Sequence, residues 1–383
     1  MSSRSILILS PFFYPEPIST GKYNTQLAAE LVRQGFDIDI ICCHPLYPKW
    51  AVEKTDKQLK GTNAIRGGAF LKLPSNILLR RAALEIWYFS FILSKLLFHK
   101  RKYNYIVTIF PPSLFMLCVP FLSRKAKLIG IVHDLQGVYA NKNEGLLKKT
   151  IYGAIKLVER RAFNSCDKLV FLSEDMKKNS EKLYSLEQYK NIVRYPFVTI
   201  DKFINNKKLT DIIPDGQKTI VYSGALGEKQ APKKLASFMS AFVKKNPNYK
   251  AYIFSQGHEF ETLKGQFNDI QFFSLVSEFD LAELLLRSTV QVLPQESGTS
   301  GGSLPSKLPN LLASQCRILC ITDPGSELVR ILDSYSLSTV SHVWDIDTLI
   351  IKTEKLLKSI KSDSDVDLLT KFTKESLVNS IIN

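Results

Sequence analysis

The sequence predicts an α/β protein made of two doubly wound parallel-sheet domains, and three observations lead there. Short apolar runs of strand character alternate with segments of helical spacing through nearly the whole chain, the pattern of parallel sheets covered by helices on both faces. The alternation restarts after Tyr195-Pro196, where Pro196 and Pro214 flank a polar Asn205-Asn206-Lys207-Lys208 segment. At 383 residues the chain is also longer than one ordinary core supports. The domains so read are 1–195 and 196–383, with the final helix a candidate to pack back on the first.

Each element has its own signal. In the first half the runs 5–9, 38–43, 106–110, 128–132 and 168–172 are apolar and short enough for buried strands. The stretch 23–34 has helical spacing and stops at Gly35, a favoured residue just past a helix end. A second helical pattern covers 146–163. In the second half strands are expected at 219–223, 250–254, 289–293 and 317–321. Helices are expected at 232–245, 278–287 and 307–314, with Ser306 as the N-cap of the last.

Composition sets limits. A hydrophobic share of 45% and an aromatic share of 11% suit a folded protein and exclude a globally disordered one. The formal charge of +15 is unevenly placed: residues 1–190 carry 29 Lys+Arg against 15 Asp+Glu, whereas 191–383 carry 22 against 21. A basic first half points to a polyanionic surface as partner. Six cysteines without a CxxC pair or zinc spacing point to a reducing compartment and no disulfide framework. The first apolar run is too short for a signal peptide, and no segment reaches the ~20 apolar residues of a membrane span.

In open α/β sheets ligands bind at the carboxyl ends of the strands, so the residues after each strand carry the functional argument. After the first strand comes Glu16-Pro17-Ile18-Ser19-Thr20-Gly21-Lys22-Tyr23. Its tail looks like a P-loop, GxxxxGK[ST], but Glu16 stands at the first glycine position and Tyr23 at the hydroxyl position. The loop therefore lacks both the amide wrap and the magnesium ligand of a nucleoside triphosphatase. Gly21 is read instead as opening the helix over 22–34 and letting a ligand approach its positive end, or as a plain turn glycine. After the 128–132 strand come His133 and Asp134, a proton-handling or substrate-binding pair, or a structural cap. In the second half Ser223-Gly224-Ala225-Leu226-Gly227-Glu228-Lys229-Gln230 offers close backbone amides, a helix start and a lysine. That is chemistry for a diphosphate without a metal. The Gly/Ser run from Gly298 reads as a mobile loop leading to Ser306 and Lys307, which could complete the phosphate site, and Glu296 could accept from sugar hydroxyls. Two DxD pairs, Asp37/Asp39 and Asp345/Asp347, could suit magnesium but begin a strand and a helix, where acidic residues have structural uses.

The stretch 78–102 is apolar and aromatic at its centre (Trp87, Tyr88, Phe89, Phe91). Arg80, Arg81, Lys95, Lys100, Arg101 and Lys102 flank it. It reads as a helix lying in a membrane interface, or as a core helix with charged ends. Its apolar centre is too continuous for a nucleic-acid surface.

Taken together, YPEPISTGKY (14–23), HPLYPKW (44–50), HDLQG (133–137), YSGALGEKQ (222–230) and PSKLPNLLAS (305–314) resemble the bacterial glycosyltransferase family 4 with the GT-B fold. Within it the chain is most like the colanic-acid and O-antigen transferases, proposed fucosyl- and N-acetyl-L-fucosaminyltransferases among them. The likeness spans most of the chain. It implies a retaining transfer from a nucleotide-sugar donor, UDP-linked by preference, held by the second domain. No metal or other cofactor is required. The implied acceptor is a saccharide on undecaprenyl diphosphate, held by the first domain at the inner face of the plasma membrane. By the same likeness Lys229 contacts the donor diphosphate with Glu228 and Gln230 beside it. Gly224 and Gly227 lend close backbone, Ser306 and Lys307 close the site, and Gly21 and His133 face the reacting sugar. Many members carry two glutamates seven residues apart; the second falls at Asn310 here, and Glu296 lies too far upstream to be the first. The rival readings are a GT-B sugar-nucleotide epimerase and a non-catalytic module that binds membranes or polyanions.

Overall fold

The computed structural model describes residues 4–47, 49–98, 101–123, 125–135, 146–300 and 304–382. The chain divides into two compact units, Met1–Tyr195 with Lys374–Asn383, and Pro196–Thr373. In the first, strands β1 (Ser5–Leu9), β2 (Asp37–Cys43), β3 (Thr62–Gly67), β4 (Tyr105–Phe110), β5 (Lys127–Val132), β6 (Lys168–Phe171) and β7 (Asn191–Val193) form one parallel sheet in the order β3-β2-β1-β4-β5-β6-β7. In the second, β8 (Lys218–Ser223), β9 (Tyr249–Ser255), β10 (Ile270–Ser274), β11 (Val290–Pro294), β12 (Arg317–Ile321) and β13 (Ser338–Ser341) run in the order β10-β9-β8-β11-β12-β13. Strand order reverses between β1 and β4 and between β8 and β11, the positions at which such sheets open a crevice for ligands. The central strands are buried on both faces, so Ile6–Leu9, Ile220–Tyr222 and Ile318–Ile321 are closed to solvent.

Helices α1 (Ser19–Arg33), α2 (Ile77–Phe98), α3 (Val119–Leu122), α4 (Leu146–Asn164) and α5 (Glu174–Tyr184) cover the first sheet, and α6 (Pro232–Lys245), α7 (His258–Leu263), α8 (Glu278–Leu286), α9 (Leu308–Ser314), α10 (Glu327–Leu332), α11 (Ile346–Leu356) and α12 (Ser364–Leu369) belong to the second unit. The last helix, α13 (Lys374–Ile382), belongs to the first. There Lys168 and Arg194 donate to the carbonyls of Ser380 and Ser376 at 3.0 and 3.1 Å. Helix α6 shows the usual logic: Leu235, Ala236, Phe238, Met239, Phe242 and Val243 line its buried face, each large side chain contributing about 1.5–3 kcal/mol of burial.

Two sequence expectations change. Helix α1 starts at Ser19, not at residue 22 or 23, so Gly21 lies inside its first turn rather than opening it. Helix α9 starts at Leu308 with Lys307 in the N-cap place and no side-chain cap, so Ser306 is not the cap; a turn in which Leu308 donates to the Pro305 carbonyl at 3.0 Å leads into it instead. Helix α2 buries a stripe of Leu84, Tyr88, Ile92 and Leu96, one residue per turn, while Leu79, Ile86, Leu97 and Phe98 stay exposed. The part 78–98 is thus a core helix along one face with an apolar outer surface along another, and Lys100 lies outside the described residues. Among the described residues no helix is long and apolar enough to cross a membrane.

Candidate active site

In the second unit the site is built on the turn between β8 and α6. β8 delivers Tyr222, buried, and Ser223 to its carboxyl end. Gly224 follows with φ 138°, a conformation that favours glycine. The turn continues through Gly227, whose amide donates to the Gln230 side chain at 3.0 Å, and ends at Ala231, φ 47°, where Pro232 opens α6. The Tyr222 hydroxyl donates to the Ala225 carbonyl at 2.8 Å and so braces the turn from beneath.

Lys307 reaches this turn from 84 residues away: its Nζ donates to the Ser223 carbonyl at 3.1 Å and stands 4.0 Å above the centre of the Tyr222 ring. A Cβ at Gly224 would lie 3.8 Å from that amine. Although the residue is partly exposed, its amine is enclosed, and burial pulls its pKa down to about 7. The titratable groups around it, Tyr222, Cys316 and Cys320, are themselves raised by burial and stay protonated. Lys229, exposed, lies in the same turn, and its carbonyl accepts the Glu296 amide at 2.8 Å. The two lysines and Glu296 are therefore anchored to one stretch of backbone. The Glu296 carboxylate meets Lys234 of α6 at 2.8 Å, which holds its pKa below the usual range. The run from Gly298, expected to be mobile, is pinned in its described part: Asp323 accepts from the Gly298 amide at 3.0 Å and from the Ser300 hydroxyl at 2.7 Å. Residues 301–303 lie outside the described residues. Ser306 is exposed beside Lys307.

In the first unit the loops after β1 and β2 are locked together by Glu16. Its buried carboxylate accepts from the Leu46 and Tyr47 amides at 2.7 and 3.0 Å, and desolvation raises its pKa against those bonds. Gly21 serves the same turn. A Cβ there would stand 2.9 Å from the Glu16 carbonyl oxygen, so the missing side chain is room for Glu16. His133 follows β5, partly buried, its ring edge-on to Tyr23 of α1 at 6.1 Å. Burial lowers its pKa to about 4, so the imidazole is neutral at ordinary pH. The Asp134 carboxylate accepts from the Leu135 amide at 3.0 Å. Gln136 and Gly137 of the HDLQG motif lie outside the described residues.

Residues 20–202 match the model of Glycosyltransferase Family 4. The Escherichia coli (strain K12) protein named "Putative colanic acid biosynthesis glycosyl transferase WcaI" is 24% identical over 359 residues, 86% of each chain. A sucrose-phosphate synthase of Thermosynechococcus elongatus superposes with a TM-score of 0.73 at 12% identity, covering 98% of this chain and 96% of that one. A UDP-forming trehalose-phosphate synthase of Burkholderia vietnamiensis gives 0.69 at 9% identity over 99% of both. The fold is GT-B. Residues 20–202 form a Glycosyltransferase Family 4 domain, and the protein is a glycosyltransferase.

The departure at position 310 has a structural explanation in this glycosyltransferase. The Asn310 Oδ1 accepts from the Thr199 amide at 2.8 Å and its Nδ2 donates to the Thr199 hydroxyl at 2.8 Å. The side chain is buried and occupied in holding residues 199–200 to α9. Three of the four DxD carboxylates are likewise occupied, and the fourth, Asp347, is exposed in the first turn of α11. Asp37 and Asp39 form ion pairs with Arg101, and Asp39 also accepts from Tyr103 and Asn63. Asp345 caps α11 by accepting from the Thr348 amide at 2.8 Å. Among the described residues no group of three His, Cys, Asp or Glu side chains could hold a metal ion. Sequence reasoning missed Tyr222, the platform for Lys307, and Lys234, the partner of Glu296. An aromatic ring directly before a Ser-Gly turn at a strand end was the available signal for the first.

Proposed function

We propose that the protein is a retaining glycosyltransferase that moves a sugar from a UDP-sugar to a lipid-linked saccharide in surface-polysaccharide synthesis. The donor diphosphate lies on the β8–α6 turn. One observation carries this: a lysine amine with no carboxylate partner among the described residues, set on the backbone of a glycine turn at a strand-order switch. In the reaction the bond between the anomeric carbon and the diphosphate oxygen breaks, and an acceptor hydroxyl forms the new bond on the same face. Its proton passes to the departing diphosphate. The turn amides, the positive end of α6, Lys307 and Lys229 take up the charge that accumulates on the leaving group. In the first unit the neutral His133 imidazole offers a hydrogen bond to a sugar hydroxyl. No metal is needed for any step.

The acceptor belongs to the first unit in this reading, at an anionic inner-membrane leaflet. The excess of cations in 1–190 and the exposed apolar residues Leu79, Ile86, Leu97, Phe98 and Phe121 support that placement. A thermal-shift screen with UDP, GDP and ADP tests the donor half. UDP should stabilise the wild type, in EDTA as well as in magnesium, and Lys229→Ala should lose the effect while keeping the wild-type melting point without nucleotide. Undiminished protection of that variant would remove the diphosphate assignment. Anionic vesicles should co-sediment the protein at low salt and release it at high salt.

A further inference from the structure

Apart from the β8–α6 turn, the first unit holds a second cation of unusual setting. The Arg80 guanidinium lies 4.3 Å over the Trp50 ring. Trp50 has φ 54° and receives Phe12 and Tyr47 edge-on at 6.2 and 6.3 Å. Its loop is anchored through the Leu46 and Tyr47 amides by the buried Glu16 carboxylate. Ala51 pairs with Lys72 in an isolated bridge, which brings the segment around Phe70 alongside. Arg33, Arg101 and Arg287 are neutralised by Glu30, by Asp37 and Asp39, and by Glu283 and Asp215, whereas Arg66, Arg194 and Arg317 each spend two or more donors on backbone carbonyls. Arg80 differs. Among the described residues its single hydrogen bond is from Nη1 to the Ser75 carbonyl at 3.3 Å, and no carboxylate pairs with it. Partial burial, with Arg81 close by, holds its pKa below the usual arginine range.

A guanidinium over an indole, partly desolvated, with most of its donors unspent, is fitted to bind an oxyanion in two-pronged fashion. Neighbours along the chain give it an apolar rim: Ile77 (57% exposed) and Leu79 (61%) precede Arg80 within one helical turn, and Phe70 (78%) stands two residues before Lys72, the bridge partner of Ala51. A free phosphate would use the cation and leave the rim; a hydrocarbon would do the reverse. An amphiphile with a phosphate head uses both. We propose that Trp50 and Arg80 bind the diphosphate of an isoprenoid-linked acceptor, with Phe70, Ile77 and Leu79 against the first part of its chain. This rests on the reading that the acceptor is lipid-linked, and it assigns that lipid a seat.

The test uses the full chain and farnesyl diphosphate as a soluble probe, with inorganic pyrophosphate and farnesol as its two halves. Calorimetry should show the wild type binding farnesyl diphosphate at least about tenfold more tightly than either half. Arg80→Lys, which keeps the charge but loses the fork and the stack, should weaken it about tenfold or more, as should Trp50→Leu. Arg80→Lys should keep the wild-type melting point, Trp50→Leu should melt somewhat lower because it also loses the edge-on contacts with Phe12 and Tyr47, and both, assayed well below their melting points, should keep UDP protection and in transfer assays raise the acceptor KM with little change in kcat. Unchanged probe affinity in Arg80→Lys, pyrophosphate binding as tight as the probe, or full displacement of the probe by phosphatidylglycerol vesicles would each overturn the proposal. Those results leave the donor site standing, because UDP protection reports on it separately. A wild type that binds UDP but not farnesyl diphosphate removes the lipid-linked acceptor along with this seat.

Discussion

Replacing Lys307 by Met separates a phosphate-binding lysine from a structural one. Burial has moved its amine from the usual 10.5 to about 7, so in the free enzyme about nine-tenths are charged at pH 6 and about one-tenth at pH 8. The phosphates of a nucleotide-sugar do not titrate in this range. If the diphosphate binds the ammonium form, wild-type donor affinity should fall about tenfold between pH 6 and 8, and about tenfold again by pH 9. Lys307→Met should bind the donor about 10–100-fold more weakly at pH 6, the worth of a charge-assisted contact, with no pH dependence. The two affinity curves should approach each other as pH rises. Stability should move the other way. The unfolded chain binds a proton here that the folded chain releases between pH 7 and 10.5, so folding gains stability as pH rises through that window and bears the full penalty below it. The shift corresponds to about 5 kcal/mol as an upper bound. Recovery of about 1–2 kcal/mol by Met is the working expectation, because the surroundings relax; this would raise the melting point by about 2–6 °C at pH 7. Calorimetric titration with a UDP-sugar at pH 6 to 9 and melting curves on both proteins measure this. Parallel wild-type and variant affinity curves, or a variant that melts lower, would show that the amine serves packing alone.

Three further outcomes follow from the geometry. Gly21→Ala should destabilise the protein by about 1–3 kcal/mol in urea unfolding, although alanine for glycine in a helix ordinarily gains about 1 kcal/mol, because the new Cβ would meet the Glu16 backbone at 2.9 Å. Asn310→Glu should not raise transfer activity, and should lower stability by about 1–3 kcal/mol as the donor to Thr199 is lost. Arg101→Ala should lower stability by about 2 kcal/mol, measured the same way, by leaving the buried Asp39 with only its neutral partners.

The buried middle of each sheet was legible because strands covered on both faces must be continuous apolar runs. The edge strands were not. β3 (TNAIRG), β7 (NIV) and β13 (STVS) are short, and the first and last are largely polar, since only one neighbour and little burial specify them. The start of α1 was misplaced for a related reason: local propensity argues against glycine in a first turn, and the contact with Glu16 that requires it is tertiary. The residues of the β8–α6 turn could be named from type and spacing, but not the contact between Lys307 and Ser223, which spans 84 positions. Asn310 shows the limit of alignment. Its position matched a family glutamate, while its amide is spent on Thr199.

The internal charges of the molecule point one way. Among the described residues, Glu16 is held by two amides and Glu85 by those of Ser113 and Leu114. Glu283 is held by Arg287 and two amides, Asp323 by the 297–300 turn, and Asp365 by Ser336. Each of these carboxylates is satisfied within the fold. The enclosed Lys307 and the stacked Arg80 each make one hydrogen bond and meet no carboxylate among the described residues, whereas Arg66, Arg194 and Arg317, which also lack a carboxylate, spend two or more donors each on carbonyls. A buried or half-buried cation left without a counter-ion costs stability that packing must offset, so its retention is best explained by a ligand that supplies the missing charge. One such cation stands on a glycine turn at a strand-order switch, where a diphosphate fits the exposed amides. The other stands on an indole with an apolar rim, where a diphosphate fits only if it carries a hydrocarbon. A transferase that takes its sugar from one diphosphate ester and delivers it to another would need both settings, each on its own unit.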